Sequence, residues 1–427
     1  MRNNSYYFLN LGCPKNQVDG DKFRGALQSL GFAESDSPSD VDFIIVNTCA
    51  FIEQARLETI GEIAELSEFK DNGTRLVAVG CYPVLHDMKK EIPSVDATFR
   101  FNQLDDFIQY IAPDSKACFD NNSVRRIVGE MPYAYLVLSD GCDNRCSYCS
   151  IPSIRGKYYS RPVDDILREA EYLALNGVKE LVLVAQDTMV YGQDIKSGID
   201  IVSLCDRLAE VDEIEWLRIM YAHPAHLDEV LLDRLFSNSK VCHYLDMPVQ
   251  HISRLILDSM RRHHGPEQVR KLINHLRNID KNISLRTTLM VGFPGETDDD
   301  FRQLLEFVEE AQFDYLGAFI YSSEENTKAA TLPSAVDSEL ARERYELLYE
   351  IAENISLEKA GEQVGSKQQL LVEGIALDDD SYYEARSYRQ APEIDGFYKI
   401  KRDPDLGKGQ FVEASITDID TAERIED

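Results

Sequence analysis

The sequence predicts an α/β protein in three parts: an N-terminal open parallel α/β domain, a central partial (β/α) barrel and a small C-terminal β-barrel. Three observations carry this. Over the first ~125 residues, short apolar runs alternate with segments of helical period. From Ala134 to about Ile355, six further apolar runs are separated by amphipathic stretches. Beyond about residue 360 the runs shorten and are split by turn residues. A length of 427 residues is room for roughly three domains. The expected boundaries are 1–125, 131–360 and 361–427.

In the first part, Tyr6–Leu11 reads as a strand ending in Gly12-Cys13-Pro14, followed by a helical pattern from Asp19 to Leu30. Phe43–Val46 is the second strand, ending in Asn47-Thr48-Cys49, with a helix from about Phe51 to Phe69. Leu76–Val79 is the third, ending in Gly80-Cys81. The C-terminal ends of parallel strands lie along one sheet edge, where ligands bind. Cys13, Cys49 and Cys81, distant in sequence, are therefore expected to converge. One such cysteine alone would be an ordinary buried thiol; three at equivalent strand ends point to a metal site.

Residues 121–126 read as a linker. The central strands are expected at Tyr135–Leu138, Glu180–Val184, Trp216–Met220, Tyr244–Met247, Ser284–Val291 and Tyr315–Phe319, with helices such as Val163–Leu175 and Asp298–Ala311 between them. Cys142, Gln186, His223, Gln250 and Gly292 each follow a strand, on the face where barrels carry their chemistry. In the last part Gln368–Val372 and Gly396–Ile400 read as short strands of a small barrel.

The composition is that of a globular protein, 44% apolar and 28% charged. No apolar run is long enough to span a membrane, and the N-terminus lacks a signal-type segment. The expectation is a cytoplasmic protein with no membrane partner, where nine cysteines favour metal binding or catalysis over disulfides. A net charge of −30 opposes a generic affinity for nucleic acid and suits a basic partner.

The chemistry concentrates in Cys142, Cys146 and Cys149, spaced C-x3-C-x2-C. A structural zinc site wants four ligands in paired groups. A ferredoxin cluster wants a fourth nearby cysteine. Neither fits well. Three thiols after the first barrel strand fit best a four-iron cluster with one iron left open to a small molecule.

The run Ser139–Pro162 resembles the cluster loop of the radical S-adenosylmethionine (SAM) methylthiotransferases. Leu11-Gly-Cys-Pro-Lys-Asn16, Asn47-Thr-Cys-Ala-Phe51 and Val79-Gly-Cys81 are similar to that family's N-terminal domain. Arg286–Thr297 resembles its later barrel motif, and the chain from about residue 361 resembles its TRAM module. The resemblance implies two 4Fe-4S clusters and SAM as cofactors. Cys142, Cys146 and Cys149 would hold the radical SAM cluster; Cys13, Cys49 and Cys81 would hold an auxiliary one. It further implies that a radical derived from SAM removes hydrogen from a carbon that no base could deprotonate, and that sulfur is inserted there.

Two substrates compete within the family. Gly12–Asn16, Ile154–Tyr158, Gln186-Asp-Thr188 and Tyr383–Gly396 look more like the RimO-type branch, which methylthiolates Cβ of an aspartate in small-subunit ribosomal protein S-twelve. The other branch modifies an adenosine of tRNA. Residues 365–427 carry 8 Lys and Arg against 15 Asp and Glu, which disfavours tRNA and suits a basic protein. A reducing electron-transfer protein is implied as a further partner. A non-enzymatic iron–sulfur sensor is the rival of another class, disfavoured because a sensor needs no SAM cradle.

By the same resemblance Tyr148, Gln186, Arg286, Gly292 and Gly295 are expected at the cofactor. Tyr148 would lie near the adenine, Gln186 near the SAM amino group and Arg286 at its carboxylate, while the glycines would allow close backbone approach. Tyr388, Arg386 and Arg389, with Tyr382 and Tyr383, are expected on the substrate-protein face. His223 and His226 form an H-x2-H pair without evident metal partners and are read as supporting residues. Cys118, Cys205 and Cys242 are read as structural.

Overall fold

The computed structural model describes residues 4–70, 73–115, 128–196 and 198–425. The expected linker 121–126 and Cys118 lie outside them. The chain divides into two compact units. The first comprises Met1–Gly129 and Ser150–Lys157; the second comprises Glu130–Cys149 and Tyr158–Asp427. The second unit holds both the central sheet and the small C-terminal barrel.

In the first unit, β1 (Ser5–Asn10), β2 (Ala33–Glu34), β3 (Phe43–Thr48), β4 (Arg75–Gly80) and β5 (Ala97–Thr98) form one sheet in the order β2-β1-β3-β4-β5. All its pairings are parallel. Strand side chains alternate between faces, and here both faces are apolar. Tyr6, Phe43, Ile45, Val77 and Val79 pack with Phe23, Leu27 and Phe107 on one side. Ile44, Val46, Leu76 and Ala78 pack with Ile63 and Leu66 on the other. A sheet covered on both faces is the open parallel α/β arrangement, and it leaves only strand ends free for chemistry. The first helix runs Pro14–Ser29, starting five residues before the expected Asp19. Pro14 is the start signal: its φ is already helical, and its missing N–H would be unpaired there in any case.

In the second unit, β6 (Tyr133–Val137) leads into β7 (Ser139–Asp140), which pairs antiparallel with β8 (Tyr159–Ser160). Next come β9 (Glu180–Val184), β10 (Trp216–Ile219), β11 (Val241–Asp246), β12 (Ser284–Val291) and β13 (Tyr315–Ile320). Together with β6 they form a six-stranded parallel sheet in sequential order. Helices return the chain between these strands, Val163–Leu175 and Asp298–Ala311 among them as expected. The six expected strands are all present, giving the partial barrel. β14 (Lys367–Ile375), β15 (Tyr382–Arg386), β16 (Tyr398–Lys401), β17 (Phe411–Asp418) and β18 (Thr421–Arg424) close a barrel of their own around Leu370, Val372, Ile400 and Ile416.

The two barrels are joined by buried charge. Arg386 is 1% exposed and donates to Glu180 Oε2 at 2.7 Å, Glu373 Oε1 at 2.6 Å and the Gln390 carbonyl at 2.6 Å. Glu180, at the start of β9, also accepts from Arg218 Nε at 2.5 Å. Burial alone would raise the Glu180 carboxyl, yet the guanidiniums of Arg218 and Arg386 hold it below the ordinary value. Arg218 donates in turn to the Tyr388 carbonyl at 2.7 Å. Glu180, Tyr133 and Ser284 each begin a central strand, and each meets the small barrel's residues. The small barrel therefore seats on the N-terminal ends of the central strands, opposite the face where the chemistry was expected. No helix among the described residues is long and apolar enough to cross a membrane.

Candidate functional site

In the first unit, strand register brings the three cysteines together. Thr48 pairs with Gly80 and Asn10 with Asn47. Cys49 and Cys81 thus leave adjacent strands at one level, and Cys13 emerges beside them after Leu11-Gly12. Buried amides lock these ends. Asn16 Nδ2 donates to the Leu11 carbonyl at 2.7 Å and the Thr48 carbonyl at 3.2 Å. Asn47 Nδ2 donates to the Asn16 carbonyl at 2.7 Å.

Gly12 has φ +87°, and a Cβ there would stand 2.7 Å from Cys49 Cβ and 2.9 Å from its Sγ. Gly12→Ala is therefore expected to displace Cys49 as well as strain the backbone, at a cost of about 1–3 kcal/mol. Iron analysis should show the N-terminal site depleted and the Cys142 site filled; undiminished total iron would refute the close approach.

Cys49 and Cys81 are each 7% exposed, whereas Cys13 is exposed. Burial pushes the Cys81 thiol up to about 12; Arg155 pulls it down, while Cys13, Asp19 and Cys49 push it further up. Burial raises Cys49 too, with Cys13 adding to it. Strand register, not a shared charge, is what sets these three thiols along one sheet edge. A bound metal removes this penalty by deprotonating coordinating thiols outright. Three converging thiols with one side open fit an iron–sulfur cluster that keeps a position free. Arg155, which follows Cys149 by six residues and belongs to this first unit, donates from Nη2 to Cys81 Sγ at 3.2 Å.

In the second unit, the β7–β8 ribbon closes the base of the segment that carries Cys142, Cys146 and Cys149. Gly141 (φ +71°) and Arg145 (φ +54°) turn the loop through the left-handed region. Ser147 anchors it. Its N–H donates to the Met260 carbonyl at 2.9 Å, its hydroxyl to the Ser259 carbonyl at 2.7 Å, and its own carbonyl accepts from Ala329 N at 2.8 Å. Tyr148 packs against Ile256, Met260, Met290 and Phe293, a surface that also supports Phe319 and Tyr321. Burial raises the Cys142 thiol to about 11, with the charges of Cys146 and Asp187 contributing. Arg262 Nη1 lies 3.8 Å from Cys146 Sγ.

Behind the loop stands a polar group that sequence reasoning resolved only in part. Asp187 is fully buried; its Oδ2 accepts from Asn144 Nδ2 at 2.7 Å and lies 2.6 Å from His226 Nδ1. Asp187, His223 and His226 offer ligand atoms within 4.8 Å of one another, so the partner that the histidine pair lacked in the sequence is Asp187. His223 Nδ1 accepts from Ala225 N at 3.1 Å, which assigns the neutral ring's proton to Nε2. With its proton there, His223 is a donor, and Asp187 ties the group to the loop through Asn144.

Among the described residues, Gln186 Oε1, Asp187 Oδ1, His223 Nε2, Gln250 Oε1 and Arg262 Nε are buried with no hydrogen-bond partner. Buried polar atoms are costly when unpaired. Most of these follow β9, β10 or β11, and Asp187 and Arg262 touch the cysteine loop. Acceptors and donors left open in that place fit an amino acid-like ligand such as the end of SAM. Asn144 and Arg262 carried no motif of their own; the only available signal was a polar residue inside the cysteine run and a basic cluster after β11.

Several expectations are corrected. Arg286, third in β12, is ion-paired with Asp395 Oδ1 at 3.2 Å and Asp246 Oδ1 at 3.7 Å. A guanidinium committed to two buried carboxylates is part of the joint between the barrels, not a free clamp for a carboxylate ligand. Gly292 (φ +74°) serves helix packing, since a Cβ would stand 2.8 Å from Ala341 Cβ. Gly295 (φ +89°) faces open space. Arg386 and Arg389 are no substrate face. Arg386 lies in the joint described above, and Arg389 is 5% exposed with Nη2 at 2.5 Å from Asp314 Oδ1. Tyr388 donates to the Asn282 carbonyl at 3.4 Å, and Tyr383 to the Leu406 carbonyl at 2.8 Å. Cys205 and Cys242 are buried within the second unit.

Residues 136–308 match the model of the radical SAM superfamily, residues 5–100 that of the uncharacterized protein family UPF0004, and residues 364–423 that of the TRAM domain. The chain is 40% identical over 427 residues to the ribosomal protein uS12 methylthiotransferase RimO of Caldicellulosiruptor saccharolyticus, spanning 96% of each chain. It is 40% identical over 428 residues to the protein of the same name from Trichlorobacter lovleyi, covering 96% of this chain and 95% of that one. Among solved structures, the radical SAM methyltransferase TsrM of Kitasatospora setae is similar with TM-score 0.57 at 15% identity, covering 96% of this chain and 84% of that one. The cobalamin-dependent radical enzyme OxsB gives 0.51 at 12% identity, covering 82% and 56%. These structural likenesses speak to the fold alone.

Proposed function

The chain belongs to the family of RimO-type ribosomal protein uS12 methylthiotransferases, and from that membership we propose that it adds a methylthio group to Cβ of an aspartate of uS12. What supports this beyond likeness is the pair of cysteine triads, one set by register along the C-terminal edge of the first sheet and one on the loop that follows β7. Two 4Fe-4S clusters and SAM, when bound, supply the electron, the hydrogen-abstracting radical and the sulfur.

The protein's own residues do the rest. Cys142, Cys146 and Cys149 hold the radical SAM cluster, and Ser147 keeps their loop in place. Tyr148 offers a ring surface for the adenine. Gln186 and Asp187 supply acceptors for the amino group of SAM, and His223 a donor. Cys13, Cys49 and Cys81 hold the auxiliary cluster, with Gly12 and Asn16 setting their spacing. Gly295 leaves room at the barrel mouth.

A basic ribosomal protein is the partner that the charge balance favours. Mass spectrometry of uS12 after anaerobic reaction with reconstituted enzyme, SAM and a reductant should show one methylthio group on one aspartate. The same label on tRNA adenosine, with uS12 unmodified, would assign the chain to the other branch.

A further inference from the structure

We propose that Arg155 is a positioning residue that tunes the N-terminal cysteine site, donating an N–H to Cys81 Sγ and so stabilising charge on that sulfur when a cluster is bound. The inference rests on the reading above that this site holds an iron–sulfur cluster.

Arg155 is held from three directions. Its guanidinium lies over Phe101, 3.9 Å from the ring centroid. Its Nη1 bonds Asp19 Oδ2 at 2.5 Å. Its Nη2 then points to Cys81 Sγ at 3.2 Å. The aromatic contact sets the plane of the fork and the carboxylate sets its rotation, which together aim Nη2 at Cys81 Sγ. The side chain is 2% exposed, so water screens the contact little.

Asp19 lies on the helix that starts at Pro14, directly after Cys13. The carboxylate that orients Arg155 and the first cysteine are thus fixed to the same element. A buried guanidinium beside neutral thiols needs a counter-charge before any cluster is bound, and Asp19 supplies it. The Arg155–Asp19 pair is close to neutral as a whole. What it presents to Cys81 is a directed N–H, not a full positive charge.

Hydrogen bonds to cluster sulfurs draw electron density from the metal–sulfur bonds and raise the reduction potential, and such outer contacts also secure the metal. Lysine cannot reproduce the arrangement, because its point charge lacks the planar fork that stacks and bonds at once.

The test uses the full chain with Cys142→Ala, Cys146→Ala and Cys149→Ala, so that only the N-terminal site can assemble. A redox titration followed by electron paramagnetic resonance compares this parent with added Arg155→Met or Arg155→Lys. The midpoint should fall in the order parent, Lys, Met, and a chelator should strip iron from the Met variant roughly 10-fold faster. Equal midpoints with equal cluster content would overturn the proposal. If Arg155→Met holds no cluster, Arg155→Lys decides: its midpoint must lie below the parent's, and one at or above it overturns the proposal. A parent that assembles no cluster would instead refute the underlying reading.

Discussion

Cys142→Ala protein will form no 5′-deoxyadenosine from SAM under reducing conditions, whereas Cys13→Ala protein will form it at close to the unaltered rate and yet leave uS12 without sulfur. The split follows from where the two cysteines reside. Cys142 lies in a loop of the second unit that is anchored by Ser147 and backed by Asn144 and Asp187, beside the unpaired polar atoms that suit SAM. Cys13 lies in the first unit, at the end of β1, where its neighbours are Cys49, Cys81 and the amide network of Asn16 and Asn47. Removing one thiol from either set unmakes that site while leaving the other unit's packing untouched. Chromatography of the nucleoside product and mass spectrometry of uS12 read the two losses separately. If both variants lost both activities while each kept its remaining cluster by iron and sulfide analysis, the division of labour would be wrong.

The second large effect is on stability. Arg386→Ala will lower the apparent melting temperature by on the order of 10 °C, because about 3–5 kcal/mol is lost when one partner of a buried ion pair is removed. Glu180 and Glu373 would both remain buried without that guanidinium, and burial already raises the Glu373 carboxyl. Arg218 would retain one side of Glu180 only. Arg386→Lys keeps the charge but loses the fork, so its loss should be smaller. In the cold, where Arg386→Ala stays folded, SAM cleavage should be near normal, since the joint lies at the other end of the strands from the cysteine loop. An unchanged melting temperature with a raised KM for uS12 would restore Arg386 to the substrate face and undo the correction made above.

That correction shows what kind of information the chain carries locally. The strands of both sheets were readable because apolar runs bounded by turn residues depend on neighbours in sequence. Both cysteine triads were readable for a related reason. Three thiols at C-x3-C-x2-C need no fold to be recognised, and Cys13, Cys49 and Cys81 each end a strand of a parallel sheet, whose C-terminal ends share one edge. The early start of the helix at Pro14 was legible too, had proline at the first helical position been weighed.

The roles of the arginines were not legible. Arg155, Arg262, Arg286, Arg386 and Arg389 all look alike as sequence, each a long cation near a motif. Which of them faces a sulfur, which a carboxylate and which a ligand depends on partners that are remote in the chain: Asp19 for Arg155, Asp395 for Arg286, Glu180 for Arg386. The sequence by itself determined the parts, their order and the thiols that can hold metal, because those follow from local pattern and from the geometry of parallel strands. Only the tertiary structure decided which charges pair, since a buried charge is placed by whichever opposite charge the fold brings to it, and no periodicity in the chain records that meeting.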